Sequence, residues 1–287
     1  MKYQFGRNRS EFWITVYENE DCYSISTNER YIDIINYAFP NLVANSPTKW
    51  KKSEKYNNMS NLWIPEGCYT QEVMNDFLEW CNEVTQNVLW IHLNKNIEDY
   101  FYDELDYCIA SDFNIVYGEG RTEIGEAEYQ LKYNIDNLSE KEQTQYADLI
   151  MHRMLDNCKY IPIYNTLDWC ISPMPASNEG KTKMAWQMAE AMSRQLNFSF
   201  IAPALNCDKP QMKQLTVEDK IAIWKEIYDN NNVVLNSHVR GKNIIVVDDL
   251  YQSGATIWEY AKYLKKMGAK QVCGIVCVKS LRNSDNT

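Results

Sequence analysis

At 287 residues the chain has room for one large domain or two ordinary ones, and its 45% apolar content suits a protein with a buried core. Its 29 basic and 39 acidic side chains give a formal net charge of −10, which argues against bulk electrostatic attachment to nucleic acid or to an anionic membrane. Twenty Tyr, nine Trp and eight Phe against only ten Gly and eight Pro exclude a low-complexity or disordered chain, because ordering so many rings requires packing.

In chain order, residues 1–112 read as a smaller α+β domain. Strands are expected at Phe12–Tyr17 and Cys22–Ser26, and an apolar run covers Val88–Leu93. The Lys- and Asn-rich stretch Ser46–Asn61 reads as a loop, and its lysines Lys49, Lys51, Lys52 and Lys55 as a solvated run. A helix is expected over Thr70–Val84, with Val73, Phe77, Leu78 and Cys81 at helical spacing and Thr70 as its N-cap. Five of the nine Trp fall in this region and are expected in a core rather than on a base-stacking surface.

Residues 113–287 have a clearer rhythm. A helix over Ser139–Asn157 opens with the capping-box pair Ser139 and Glu142, and a strand at Leu167–Ser172 breaks at Pro173 and Pro175. A helix over Lys181–Leu196 carries the stripe Met184, Met188, Met192 and Leu196, followed by a strand at Phe198–Ala202. Thr216 caps a helix whose inner face holds Val217, Ile221, Trp224 and Tyr228. Then come a strand Asn243–Val247, a helix Ile257–Met267 ended by Gly268, and a strand Gln271–Val278. This alternation predicts an α/β fold with an open parallel sheet and helices on both faces.

The nine cysteines form no CxxC pair and have no His at zinc-finger spacing, so they read as reduced thiols, with Cys273 and Cys277 facing a core. Without an apolar run of membrane-spanning length or an apolar N-terminal segment, a cytoplasmic protein is expected. His92, His152 and His238 lie outside every motif.

The informative stretch is Ile244-Ile245-Val246-Val247-Asp248-Asp249-Leu250-Tyr251-Gln252-Ser253-Gly254-Ala255-Thr256-Ile257, a buried strand joined to a helix by a short polar turn. Ligands of open α/β sheets bind beyond the carboxyl ends of the strands. The small residues Ser253, Gly254, Ala255 and Thr256 let backbone N–H groups converge on a phosphate at a helix N-terminus. Asp248 and Asp249 would repel that phosphate but can accept hydrogen bonds from sugar hydroxyls or approach a hydrated Mg²⁺. Phosphate at one end and a diol at the other describe a ribose 5-phosphate.

This segment resembles the 5-phosphoribosyl 1-pyrophosphate (PRPP) motif of the type I phosphoribosyltransferases. The resemblance implies that Asp248 and Asp249 hold the ribose 2- and 3-hydroxyls and that Leu250 and Tyr251 lead into a loop, Gln252 to Thr256, around the 5-phosphate. Gln252 stands where that family usually has Thr or Ser. Residues 115–282 are further similar to the ComF-like (competence-associated) branch, through Ile124–Tyr133, Ser172-Pro173-Met174-Pro175, Lys183–Gln187 and Pro210–Lys220. On that resemblance Pro175, Ala176, Ser177 and Lys183 lie on the pyrophosphate side. The cysteine zinc ribbon that usually opens the branch is absent here.

Phosphoribosyl transfer passes through an oxocarbenium-like centre, so positioning and neutralisation of the leaving pyrophosphate dominate its catalysis. Mg²⁺ is the expected cofactor, reached by Asp248 and Asp249 through PRPP or water. Lys209 and Lys213, with Lys220 behind them, are the candidate cations of a loop closing over the site, and Lys181 and Lys183 could approach from the other side. The expected ligand is PRPP or another ribose 5-phosphate compound. No membrane partner is expected, and a homodimer is compatible with the sequence, which leaves the oligomeric state open. Three functions stand: a phosphoribosyltransferase, a non-catalytic PRPP- or nucleotide-sensing module, and, as a minority reading, single-strand binding by residues 1–112.

Overall fold

The structure, a computed structural model, describes residues 1–92, 103–176, 183–210, 212 and 215–281. The chain forms two compact units, one of Met1–Trp90 with Lys159–Pro162, the other of Ile91–Cys158 with Ile163–Thr287.

The first unit is built on the strands β1 (Lys2–Gly6), β2 (Trp13–Glu18), β3 (Cys22–Asn28), β4 (Trp50–Lys52) and β5 (Met59–Pro65), in the antiparallel order β1-β2-β3-β5-β4. Its helices are α1 (Ile32–Ala38), α2 (Pro40–Asn45) and α3 (Gln71–Gln86), and a short strand β6 (Leu89–Trp90) follows. Alternation puts Ile14, Val16, Ile25, Leu62 and Ile64 on one sheet face, all fully enclosed. Phe12 stacks on Tyr31 at 4.6 Å, and Trp90 meets both rings edge-on. Thr70 caps α3 as expected, its side chain accepting from the Val73 amide at 3.3 Å. The expected loop Ser46–Asn61 instead contains β4 and the start of β5. Lys51 pairs with Asn61 there, so cross-strand pairing overrides a polar composition that reads as loop. Of the five Trp, Trp90 is fully buried and Trp63 is exposed, so the core expectation holds only in part.

The second unit holds the strands β7 (Tyr107–Phe113), β8 (Ile115–Val116), β9 (Gly120–Arg121), β10 (Trp169–Pro173), β11 (Ser199–Phe200), β12 (Pro203–Leu205), β13 (Val233–Leu235), β14 (Asn243–Tyr251) and β15 (Gln271–Lys279). Its helices are α4 (Glu123–Tyr133), α5 (Glu140–Cys158), α6 (Met184–Leu196), α7 (Val217–Asp229) and α8 (Ala255–Lys266). The main sheet of this unit has the order β11-β10-β14-β15-β7, parallel at every pairing. Two short antiparallel pairs, β8–β9 and β12–β13, stand apart from it.

Both sheet faces are covered. Ser172 Oγ lies 2.7 Å from the Tyr260 hydroxyl of α8, and its row partner Gly274 lies against Ile257 of the same helix and against Cys108. Ser111, three residues beyond Cys108 and so on the other face, accepts from Asn157 of α5 at 2.9 Å. Cys273, Ile275 and Cys277 are fully enclosed, as their alternation predicts. The capping box forms, with the Ser139 amide donating to Glu142 Oε2 at 2.8 Å and the Glu142 amide donating to Ser139 Oγ at 3.3 Å. Thr216 likewise caps α7.

The division between units falls at Trp90/Ile91, earlier than the expected boundary at 112, because Tyr107–Phe113 pairs with β15 in the parallel sheet. The expected strand Asn243–Val247 runs on to Tyr251, since Leu250 and Tyr251 continue the ladder opposite Val278 and Lys279. Both acids therefore sit inside the strand, and α8 begins at Ala255 rather than at Ile257. Among the described residues no helix is long and apolar enough to cross a membrane.

Candidate functional site

A cleft of about 920 Å³ opens in the second unit at the carboxyl ends of β14, β15 and β7, where parallel α/β sheets bind ligands. From β14 and the following turn come Asp248 to Gly254, from α8 Thr256 and Ile257, and from α4 Glu128, Tyr129, Lys132 and Tyr133. The α4 wall is held by a local device. Thr122 caps the helix, accepting from the Gly125 amide at 3.0 Å while its hydroxyl donates to the Phe113 carbonyl. Gly125 lies so near the Asn114 backbone that any Cβ there would overlap it.

The acidic strand end is not a bare pair of carboxylates. Lys132 Nζ lies 2.7 Å from Asp249 Oδ2 and 3.1 Å from Glu128 Oε1. Burial alone would lower the Lys132 ammonium, but the Asp249 and Glu128 charges outweigh it and hold its pKa above the ordinary lysine value. Asp248 Oδ1 accepts the Asp249 amide at 2.9 Å. Burial, reinforced by the neighbouring Asp249 charge, raises the Asp248 carboxyl well above the usual carboxylate range. Glu128, only 4% exposed, is likewise raised by burial, with Lys132 pulling the other way.

The turn after Tyr251 is fixed by contacts that only glycine permits. Gly254 has φ +90°, and a Cβ on it would overlap the Tyr251 hydroxyl and the Trp258 indole. Those two side chains are joined, Trp258 Nε1 donating to the Tyr251 hydroxyl at 3.0 Å. Gly254 is the N-cap of α8 and offers no side chain to cap it, while its carbonyl accepts the Trp258 amide at 3.0 Å. The first-turn amides of α8 thus open beside Thr256 with no side-chain cap on them, a geometry suited to an anion.

The structure brings together Asp248, Asp249, Leu250, Tyr251, Gln252, Ser253, Gly254 and Thr256 around one cleft, and Lys220 from α7 joins them. Ala255 is fully buried and can contribute only its backbone. Lys209 stacks its ammonium on the Trp224 ring at 4.6 Å. Its pKa is lowered by burial and then by the Lys183 charge, with Asp248 acting oppositely. Pro175, Ala176 and Lys183 are not among the residues lining the cleft, and Lys183 is the exposed N-cap of α6. Ser177, Lys181 and Lys213 lie outside the described residues. None of the three histidines lines the cleft. The sequence reading missed the roles of Glu128 and Lys132. The signal available was the segment Ile124–Tyr133, quoted for its likeness and not for its charges.

Among the described residues no group of three His, Cys, Asp or Glu side chains is placed to hold a metal. With Asp249 engaged by Lys132 and no third carboxylate, His or Cys grouped with the pair among the described residues, the two acids do not make a protein-only Mg²⁺ site. They fit a metal that arrives on a ligand's phosphates and meets the protein through water.

No protein-family model matches the chain, and no curated protein sequence matches it. Among solved structures, it is similar to a purine phosphoribosyltransferase from Pyrococcus horikoshii, at 17% identity over 46% of this chain and 70% of that one, with a TM-score of 0.29. A hypoxanthine phosphoribosyltransferase from Staphylococcus aureus is similar at 10% identity over 49% and 70%, with a TM-score of 0.33. A phosphoribosylpyrophosphate synthetase from Mycobacterium smegmatis is similar at 16% identity over 46% and 32%, with a TM-score of 0.28. The likeness thus spans about half of this chain.

Proposed function

We propose that the second unit binds PRPP in this cleft and transfers its 5-phosphoribosyl group to a nucleobase or other nucleophile, with Mg²⁺ carried on the pyrophosphate. One observation carries the reading: a carboxylate pair and a Gly-gated helix N-terminus follow one another on the central parallel strand and line the same cleft. The acids suit the ribose hydroxyls, and the uncapped amides with Thr256 suit the 5-phosphate. In the transfer the acceptor's lone pair forms the bond to the anomeric carbon as the bond to pyrophosphate breaks. The bonding pair leaves with pyrophosphate, and the acceptor's proton passes to solvent. Lys220, buried at the cleft wall, is the described cation best placed to offset the leaving charge.

A second reading, ligand binding without transfer, is favoured by the position of Pro175, Ala176 and Lys183 outside the cleft lining. Titration calorimetry with PRPP and Mg²⁺, followed by a screen of acceptors for pyrophosphate release, separates the two. Binding with release supports transfer, and binding without release from any acceptor leaves the sensing module. No binding of either PRPP or ribose 5-phosphate overturns both.

A further inference from the structure

The first unit takes no part in the cleft, and the two faces of its sheet differ in kind. Ile14, Val16, Ile25, Leu62 and Ile64 are enclosed on one face, so their neighbours in each strand stand on the other. There the register aligns Lys2, Tyr17, Ser24 and Trp63 in one row across β1, β2, β3 and β5. Tyr17 is 40% exposed and Trp63 43%, although rings of this size are normally absorbed by a core. Only Ser24 separates them, so the two ring-bearing positions stand two strand spacings, roughly 10 Å, apart with a small residue between. The next row, Gln4, Thr15, Ser26, Asn61 and Lys51, is polar throughout. Ser26 Oγ donates to Asn61 Oδ1 at 2.6 Å, which leaves the Asn61 amide hydrogens as donors.

Charge selects the occupant. Neither row contains a carboxylate, although the chain has a net charge of −10. Exposed lysines mark the two outer strands: Lys2 on β1 and Lys51 on β4 are four strand spacings apart, roughly 20 Å. Lys2 lies over the Tyr17 ring at 5.5 Å. Lys51 has no ion-pair partner among the described residues, whereas its neighbour Lys52 meets Glu29 at 3.0 Å. The nearest acids stand off this face. Glu18 turns to the enclosed side, where its carboxylate accepts from the Tyr3 and Tyr23 hydroxyls, and Glu20, Asp21 and Glu66 lie in the turns beyond the strand ends.

We propose that this face binds single-stranded nucleic acid, with bases stacked on Tyr17 and Trp63 and phosphates met by Lys2 and Lys51. The strand crosses the sheet between the two lysines, clear of the acidic turns. Stacking supplies most of the affinity, because the charge of the whole chain opposes bulk attraction and two lysines neutralise few phosphates. The site is independent of the cleft and of phosphoribosyl transfer.

The full chain is titrated by fluorescence anisotropy with labelled twelve-nucleotide oligo(dT) and oligo(U) and with the oligo(dT)–oligo(dA) duplex. Polyphosphate serves as a base-free competitor, and cellohexaose is followed by Trp emission. Single strands are expected to bind about tenfold more tightly than the duplex, with log affinity falling against log salt at a slope of about −1.4, the value for two phosphates. Tyr17→Ala and Trp63→Ala each weaken binding by about tenfold, while Trp63→Phe stays within about threefold of wild type and so separates a lost ring from a lost fold. Lys51→Gln makes the salt slope shallower by about 0.7. Binding of either oligo(dT) or oligo(U) alone supports the site and fixes its preferred sugar. Failure of both to bind, equal affinity for the duplex, displacement by polyphosphate as readily as by unlabelled single strand, or indifference to both alanine variants overturns it. Cellohexaose binding that depends on Trp63, without single-strand binding, overturns it in favour of a neutral glycan.

Discussion

Lys132 Nζ and Asp249 Oδ2 lie 2.7 Å apart, so the last turn of α4 is fastened to the acidic end of the central strand by a partly buried ion pair. The same ammonium stands 3.1 Å from Glu128. One lysine thus occupies a single Asp249 oxygen and leaves that side chain's remaining lone pairs available to a diol.

Lys132→Met leaves two partly buried carboxylates without their counter-charge. Stability is expected to fall by about 1–3 kcal/mol in urea denaturation, and PRPP affinity by at least about tenfold. The folded pKa of Lys132 is raised, so its contribution is complete below the unfolded lysine pKa and is lost only as pH climbs through the folded value. The gap between wild type and variant should therefore be flat from neutral pH to about 9 and close only in strong alkali. A wild-type midpoint at neutral pH would show that the pair is energetically silent.

Asp248 predicts the opposite sign. Its folded pKa is raised, so the folded protein binds more protons than the unfolded chain, and stability falls as pH rises from the unfolded carboxylate pKa to the folded one. Asp248→Asn removes that cost. The unliganded variant should be more stable than wild type at neutral pH, with the difference vanishing below about pH 4, and it should lose PRPP binding. Thermal melts across this range, paired with calorimetry, check both halves, and a destabilised variant at pH 7 refutes the assignment.

Gly254→Ala forces a side chain into left-handed backbone and against Tyr251 and Trp258. A loss of about 2–4 kcal/mol is expected in chemical denaturation, together with loss of ribose 5-phosphate binding. Unchanged stability would mean that the turn relaxes freely.

Tyr251→Phe deletes the acceptor of the Trp258 indole N–H in a buried setting. The expected cost is about 1–2 kcal/mol, with a shift in Trp emission. Ligand affinity should change far less than in Gly254→Ala, because the phenyl ring still fills its place. A loss of affinity as large as in Gly254→Ala would give the hydroxyl itself a part in binding.

Local features were legible in the sequence and distant pairings were not. The caps at Thr70, Ser139 and Thr216 are decided within a few residues, and each was readable from its neighbours. Asp248 to Thr256 is likewise a contiguous strand, turn and helix start. Strand β7 escaped detection because its ladder partner β15 lies far along the chain, and because Ser111 and Asp112 break its apolar run. Lys132 escaped for the same reason: a lysine near the end of an amphipathic helix reads as solvated until the fold sets it beside Asp249. Lys209 shows the converse, since a loop lysine expected over the ligand rests its charge on the Trp224 ring.

The chain path through the two units has a practical consequence. Residues Lys159–Pro162 belong to the unit otherwise made of Met1–Trp90, and Ile161 is fully enclosed. No single cut in the gene separates the units cleanly. A fragment ending at Trp90 lacks part of its own interior, and one starting at Ile91 carries an apolar stretch evolved for another setting. Truncations meant to isolate the cleft would therefore confuse lost solubility with lost function, and point substitutions in the intact chain are the sounder way to divide its labour.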